Sequence, residues 1–514
     1  MLEPVKNVAS VEEVATRFKL NLPDSVSGFV GGKQLAQDSS VAPIQHLCPA
    51  TEELLYGVNE CSPADVDAAV AAARNAFDNT GWARMAHKER KQLLRRLIDV
   101  IDANKEELAA IQSLEVGMPL AGVNAMHIPR TIENFEFFIE AAGTLGGHTY
   151  TQTGQYTSIV TREAVGVVAL LSPWNAPLVL SSMKLAAALA LGNTCVIKAS
   201  EYSPYSLFRF VEIMHEADLP PGLINLVNGR GHVTGKALTE HPGVDVIGFV
   251  GGTETGKAIM QSAAGGIKKV GLELGGKSAN IVLSSANLPS AIDGSLLAIL
   301  SGNGEQCLAG SRILVEDEVA DEFIESFVAR MKNVVVGDPF DADSEIGPLA
   351  FAAHRDKVLA YAKIAEAEGA EILCGGRAAD SFAKGYFVEP TAALVTSNQS
   401  RVCQEEIFGP FVTIQRIRDA DEAVQIANES SFGLVSYIWS DDLPSVMSVA
   451  QRVKAGTVWV NTPLTRDLRA PFGGYKMSGV GRDGLHASVD LLTEEKTMML
   501  PNAPLKLPSL GSKR

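Results

Sequence analysis

The sequence predicts an α/β protein: a parallel sheet covered by helices on both faces, followed by a second α/β unit. Two observations carry this. Short continuous apolar runs alternate with helix-length apolar-periodic stretches from about residue 165 to 276, and the same rhythm restarts near 278 and runs to about 480. Strands buried on both faces read as unbroken apolar runs, and alternation with helices is the signature of parallel βαβ units. The length of 514 residues agrees, being too long for one ordinary core.

The first stretch, roughly 62 to 145, reads as helices. Pro63 to Phe77 places apolar residues at helical spacing, with Ser62 as a cap. From 147 to 163, β-branched and aromatic residues surround a Gly154-Gln155 turn, which predicts a hairpin. Strands are expected at Val165 to Leu171, Thr194 to Lys198, Ile224 to Asn228 and Val244 to Val250. Helices are expected at Leu178 to Leu191, from Ser203 and around Gly235 to Glu240. The second series begins with Ser278 to Leu283, a helix toward Leu300, the strand Arg312 to Glu316 and a helix from Val319 to Met331. Thr493 to Leu500 alternates weakly and reads as an extra strand.

Charge narrows the partners. A formal net charge of −16 repels phosphate backbones and anionic lipid, so neither nucleic acid nor membrane is an expected partner. The most apolar region, Ala164 to Leu191, contains Pro173, Asn175, Pro177 and Lys184, which rule it out as a lipid-exposed span. The six cysteines are scattered singly, which excludes a disulfide framework and suits a reducing compartment. The nine histidines supply no metal-ligand spacing, so no metal is expected. The N-terminus lacks the apolar core of a signal peptide, so a cytoplasmic location is expected.

Two glycine-rich stretches imitate nucleotide loops. Gly479-Val-Gly481-Arg-Asp-Gly484 spells G-x-G-x-x-G without the βαβ unit that motif needs. Gly251-Gly-Thr-Glu-Thr-Gly256-Lys257 approaches a P-loop, but Ala258 stands where a metal-binding hydroxyl belongs. It remains a strand-to-helix loop whose helix N-terminus favours an anion, or a tight turn.

Other stretches carry side chains suited to chemistry. Cys307 lies in Ser301-Gly-Asn-Gly-Glu-Gln-Cys-Leu-Ala-Gly-Ser-Arg312, among glycines and small polar residues rather than against an apolar wall. Asn175 is flanked by prolines and reads as a fixed amide donor or a turn residue. Lys198 and Glu201 end a strand, as a solvated pair or as a contact for nucleotide hydroxyls. Glu273 lies in Gly271-Leu-Glu-Leu-Gly-Gly-Lys277, as a hydrogen-bonded buried acid or as a base with a raised pKa. Glu406, in Gln404-Glu-Glu-Ile-Phe408-Gly-Pro410, ends a surface helix or holds a ribose.

Together these stretches resemble the aldehyde dehydrogenase family. Pro173-Trp174-Asn175, Glu273 to Gly276, the segment around Cys307, Glu405 to Pro410 and Pro471 to Gly479 match its motifs in order, across residues 45 to 500. The resemblance implies the fold: a Rossmann-like NAD-binding domain (1–147 and 164–276), a catalytic domain (277–480) and an oligomerisation segment (148–163 and 481–514). It implies NAD as cofactor, an aldehyde as substrate, and a homodimer or homotetramer in which the hairpin and the tail strand pair across subunits. It implies Cys307 as nucleophile, with Asn175 and the Cys307 N–H holding the oxyanion. Glu273 is then the base for thioester hydrolysis, and Lys184 supports proton handling. Trp174, Lys198, Glu201, Gly231, Gly251, Gly252, Gly256, Glu406 and Phe408 fall on the cofactor side.

Three departures from the family pattern stand out: Ala199 for proline, Gly252 for serine and Glu305 for glutamine. The first two bear on cofactor geometry. A charged Glu305 would raise the Cys307 pKa. Glu273 argues against a CoA-acylating relative, and the set Asn175, Glu273 and Cys307 argues against a purely structural role. Glu201 favours NAD over NADP. Arg130 and Arg466 match the subgroup acting on muconic semialdehydes, where two arginines hold a substrate carboxylate, unless Arg466 simply pairs with Asp467 or another acid. Ala176, a small residue beside Asn175, keeps benzaldehyde-type aldehydes as the alternative.

Overall fold

The computed structural model describes residues 6–36 and 42–511. Its first sheet has eight strands in the order Gly479–Val480, Lys269–Glu273, Val246–Val250, Val167–Leu171, Thr194–Lys198, Ile224–Val227, Phe29–Val30, Lys33–Gln34. The five central strands are parallel, and both edges are antiparallel. The chain winds outward from Val167–Leu171 in one direction, then returns to add Val246–Val250 on its other side. Such a reversal opens a crevice at the carboxyl ends of the strands, where ligands of open α/β sheets bind.

The helices flanking this sheet follow from local chemistry. In the helix Pro63–Asn79, Ser62 accepts from the Asp65 N–H while Asp65 accepts from the Ser62 N–H, and Pro63 starts the first turn. Val66, Ala69, Val70, Ala73 and Ala76 form its buried stripe. The expected helix around Gly235 to Glu240 is α-helical only over Lys236–Glu240, because Gly231–Gly235 forms a wider π turn.

The second sheet has seven strands, ordered Glu371–Cys374, Thr391–Leu394, Phe411–Ile417, Arg312–Glu316, Ala279–Val282, Val435–Trp439, Thr457–Val460, parallel except at Glu371–Cys374. The chain passes from the end of Lys269–Glu273 in the first sheet to Ala279–Val282 in the second through Leu274 to Ser278. The Glu273 motif is therefore the bridge between the two sheets.

The hairpin forms as His148–Tyr150 and Tyr156–Ala164. The tail strand Thr493–Pro501 pairs with it in the same chain, from Thr493 opposite Ala164 to Pro501 opposite Tyr156. Each of the two segments thus finds its partner within the chain, leaving His148–Tyr150 and Thr493–Pro501 as the open edges of a three-stranded sheet. Gly479–Val480 pairs with Leu272 and Glu273, so the late glycine-rich stretch completes the first sheet.

Candidate active site

The loop carrying Cys307 is built by backbone that few residues tolerate. After the helix Leu288–Leu300, one tight turn, Ser301–Gly304, holds Gly302, Asn303 and Gly304 at φ of 58°, 60° and 74°. Glycine accepts this region without cost; Asn303 is kept there by its buried side chain. Its amide donates to Gly117 O (3.1 Å) and Pro348 O (3.0 Å) and accepts from Gly347 N–H (2.8 Å). At Gly304 a Cβ would collide with the Gly409–Pro410 backbone, and one at Gly276 would stand 2.7 Å from the Cys307 carbonyl oxygen. These glycines let three backbone segments close around one sulfur.

Cys307 is partly exposed, and all six cysteines are free thiols. Burial pushes its pKa up to about 12; Glu406 and Glu273 add to the rise and Arg466 opposes it. Glu305 behaves differently from the sequence expectation. It is 3% exposed, and burial lifts its carboxyl well above the usual range despite the Ala350 N–H it accepts (2.9 Å). Burial therefore disfavours the charged form of Glu305, and the carboxyls that raise the Cys307 pKa are Glu406 and Glu273.

Asn175 lies at the carboxyl end of Val167–Leu171, just before the helix Pro177–Ala190. Its buried amide donates to Glu305 O at 2.7 Å, two residues before Cys307 in the chain. An amide carries two hydrogens, so a second donor is left on Nδ2. Glu273 ends its strand at 6% exposure, with Oε2 unpartnered. Burial and then Asp483 push its pKa well above the carboxylate range, while Lys184, Arg466 and Arg482 oppose the shift. Lys184 donates to Asp483 Oδ1 at 2.8 Å, with both side chains buried.

On the sheet side, Lys198 meets Glu201 at 3.1 Å, and burial lowers the Lys198 pKa. Gly251 packs against the Phe249 ring and Gly256 against Leu274, while a Cβ at Gly231 or Gly252 would meet no atom within 4 Å. Gly252 caps the helix Thr253–Ala264, and Thr253 Oγ1 is buried without a partner. Open space at Gly252, beside a helix N-terminus with an orphaned hydroxyl, fits a dinucleotide's phosphates. Ala199 is fully buried. Glu406 accepts from Gly276 N–H at 3.0 Å, and burial raises its pKa. Its carboxylate occupies the space a side chain at Gly275 would need. Trp174 packs edge-on against Phe408 at 5.4 Å, and Phe408 itself sits at φ 66°.

Arg466 is stacked over Phe472 at 4.2 Å, with Nε and Nη2 buried and unpartnered. Asp467 pairs instead with Arg469 at 2.6 Å. Arg130 reaches Glu133 at 2.9 Å through Nη1, and its Nη2 is buried without a partner. Burial lowers the Arg466 pKa first; Arg130 is close enough to lower it further, and Asp483, Glu273 and Cys307 oppose.

Two residues escaped the sequence reading. Asp483, the partner of Lys184, lies inside the Gly479 to Gly484 stretch, whose glycines drew attention away from its acid. His354 donates through Nε2 to Phe408 O at 2.6 Å, packs on Trp174 at 5.3 Å and stands 3.6 Å from Glu305 Oε1. Burial lowers its pKa to about 4. No spacing in the sequence marks it.

Comparison with known proteins agrees with this geometry. Residues 36–498 match the model of the aldehyde dehydrogenase family. The chain is 40% identical over 464 residues to 5-carboxymethyl-2-hydroxymuconate semialdehyde dehydrogenase of Escherichia coli, covering 89% of this chain and 97% of that one. The structure of HpcC from Thermus thermophilus superposes with a TM-score of 0.94 at 37% identity, covering 98% of each chain. An NAD+ complex of aldehyde dehydrogenase from Bacillus cereus does so with a TM-score of 0.92 at 36% identity, covering 97% of this chain and all of that one. Nearly full-length agreement in sequence and in fold, around a cysteine that glycines leave approachable, means that the chain belongs to the aldehyde dehydrogenase family.

Proposed function

We propose that this aldehyde dehydrogenase uses NAD to oxidise a semialdehyde that carries a carboxylate, with Cys307 as nucleophile and Arg130 and Arg466 as the carboxylate's anchors. The observation that carries the substrate reading is the pair of partly buried arginines with buried, unsatisfied N–H donors (Arg130 Nη2, Arg466 Nε and Nη2), Arg466 being within electrostatic reach of both Arg130 and Cys307. A buried donor without an acceptor is costly, and a planar fork suits a carboxylate. The likeness to a semialdehyde dehydrogenase supports the same class.

The chemistry follows from the residues. The Cys307 sulfur, once deprotonated, bonds to the aldehyde carbon, and the carbonyl π pair moves onto oxygen. The free hydrogen of Asn175 Nδ2 and the Cys307 N–H stabilise that oxyanion. NAD, when bound, would supply the hydride acceptor, and Lys198, Glu201, Glu406, Trp174, Phe408 and the loops at Gly231, Gly251, Gly252 and Gly256 would hold it. Loss of hydride leaves a thioester on Cys307. Glu273 takes a proton from water as the water attacks that thioester, the C–S bond breaks, and the acid is released. A carboxyl with a raised pKa is a stronger proton acceptor than an ordinary carboxylate. Lys184, tied to Asp483, fixes a positive charge near Glu273.

The test is Arg466→Ala and Arg130→Ala, each assayed on a semialdehyde acid and on an uncharged aldehyde. Removing a buried charge-assisted pair costs about 2–5 kcal/mol, so kcat/KM for the acid falls about 30-fold or more while the neutral aldehyde changes little. Equal losses on both substrates make the arginines structural and move the assignment to benzaldehyde-type aldehydes, for which Ala176 leaves room.

The same reading divides the chain into an NAD-binding domain (1–147 and 164–276), a catalytic domain (277–480) and an oligomerisation segment (148–163 and 481–514). The open edges of the hairpin sheet support a homodimer or homotetramer.

A further inference from the structure

Glu60 belongs to none of the motifs above, yet it stands beside the Lys198–Glu201 pair. It follows the strand Leu54–Val58, and the next residue is stitched to the sheet: Cys61 N–H donates to Asn228 O at 2.8 Å, and Thr234 Oγ1 donates to Cys61 O at 2.8 Å. Val227, just before Asn228, lies opposite Lys198 in the parallel pairing of the two strands. The Glu60 carboxylate accepts from Arg230 twice, from its backbone N–H at 2.8 Å and from Nη1 at 3.1 Å. At Gly229 (φ 142°), a Cβ would collide with Thr234 and approach the Glu60 side chain to 2.9 Å, so this turn closes tightly over the carboxylate. Glu60 also acts on Lys198 through space.

The neighbourhood therefore holds two cations and two carboxylates. Lys198 is buried and committed to Glu201; Arg230 is half-exposed and committed to Glu60. A ribose hydroxyl needs only hydrogen bonds here. A 2′-phosphate brings close to two negative charges, and it would need a free cation.

We propose that Glu60 is a specificity-determining residue for the dinucleotide: by holding Arg230 in an ion pair it withholds from a 2′-phosphate the half-exposed cation next to the Lys198–Glu201 pair. The inference rests on the reading that Lys198 and Glu201 hold the adenosine ribose. Glu201 repels the phosphate directly; Glu60 acts by occupying the group that would otherwise bind it.

The experiment is calorimetric titration of the full-length protein with NAD, with NADP and with adenosine 2′,5′-bisphosphate. The variants are Glu60→Gln, Arg230→Ala, the double variant and Glu201→Gln. Gln keeps an acceptor for the Arg230 N–H and removes the charge. In Glu60→Gln the ratio Kd(NADP)/Kd(NAD) drops about tenfold or more, and the bisphosphate binds more tightly by a similar factor. Adding Arg230→Ala restores the ratio to within roughly threefold of Arg230→Ala alone. A ratio in Glu60→Gln within about threefold of wild type, or a gain that survives in the double variant, overturns the proposal. If Glu201→Gln shifts the ratio and Glu60→Gln does not, the ribose reading stands and only the role of Glu60 falls. If neither shifts it, both fall.

Discussion

Lys184, buried, and Arg466, partly buried, are both cations that act on Glu273, yet their surroundings differ. The Lys184 ammonium meets the Asp483 carboxylate at 2.8 Å, and the two are sealed together. The Arg466 guanidinium has an aromatic ring beneath it and two nitrogens with no partner. A cation with its counter-ion in place belongs to the architecture. A cation whose donors are left open belongs to something that arrives from outside. On the proposed mechanism, the contrast separates residues that hold the base from residues that wait for substrate.

Both cations act on Glu273, the base proposed to serve the Cys307 thioester, so the comparison breaks first at Cys307. Cys307→Ala should leave less than about a hundredth of wild-type dehydrogenase turnover, since it removes the proposed nucleophile. Higher residual turnover would mean another group attacks the aldehyde.

The next effect is on stability. Lys184→Met strands Asp483 as a buried unpaired charge and should cost about 3–5 kcal/mol, read as a fall in the denaturant midpoint. Arg466→Met removes an unpaired charge and should leave the midpoint unchanged or higher. Equal losses from the two would erase the distinction drawn here.

A buried acid outside the set that acts on Glu273 supplies a control. Glu115 accepts from the Tyr56 hydroxyl and from the Tyr205 and Ser206 N–H groups, which start the helix Pro204–His215. Burial still pushes its pKa up to about 7. The folded-state pKa lies above the unfolded one, so the fold is favoured below pH ~4.3 and loses that advantage as pH rises through about 7, by about 3 kcal/mol. Glu115→Gln should flatten stability between pH ~5 and ~8. An unchanged slope would assign the titration to another group.

The smallest effect sharpens the substrate side. Arg466→Lys keeps the charge and loses the planar fork, so the acid substrate should lose about tenfold in kcat/KM, less than with alanine. A loss as large as that of Arg466→Ala would show that the stack on Phe472 matters more than charge.

The parts legible in the sequence were those a short segment specifies alone. The strands Thr194–Lys198 and Arg312–Glu316 have the bounds their apolar runs predict, because a strand buried on both faces admits no polar interruption. The glycines around Cys307 were readable as close approach. Pairings between distant segments were not. Asp483 meets Lys184 across 299 residues of chain, and Glu60 meets Arg230 across 170. The burial of Glu305, which pushes its pKa up, was hidden as well, since no local pattern encodes it.

The pairing of Gly479–Val480 with Leu272 and Glu273 sets an order of assembly during synthesis. The strand bearing Glu273 emerges from the ribosome as the open rim of an unfinished sheet, and the segment that covers it is made roughly 200 residues later. At about 5–20 residues per second, that rim waits some ~10–40 s for its neighbour. Asp483, which locks Lys184, arrives in the same late segment. A nascent chain short of residue 480 thus has the Glu273 motif but neither the strand nor the Asp483 counter-ion that shapes its surroundings, so the proposed catalytic centre matures last.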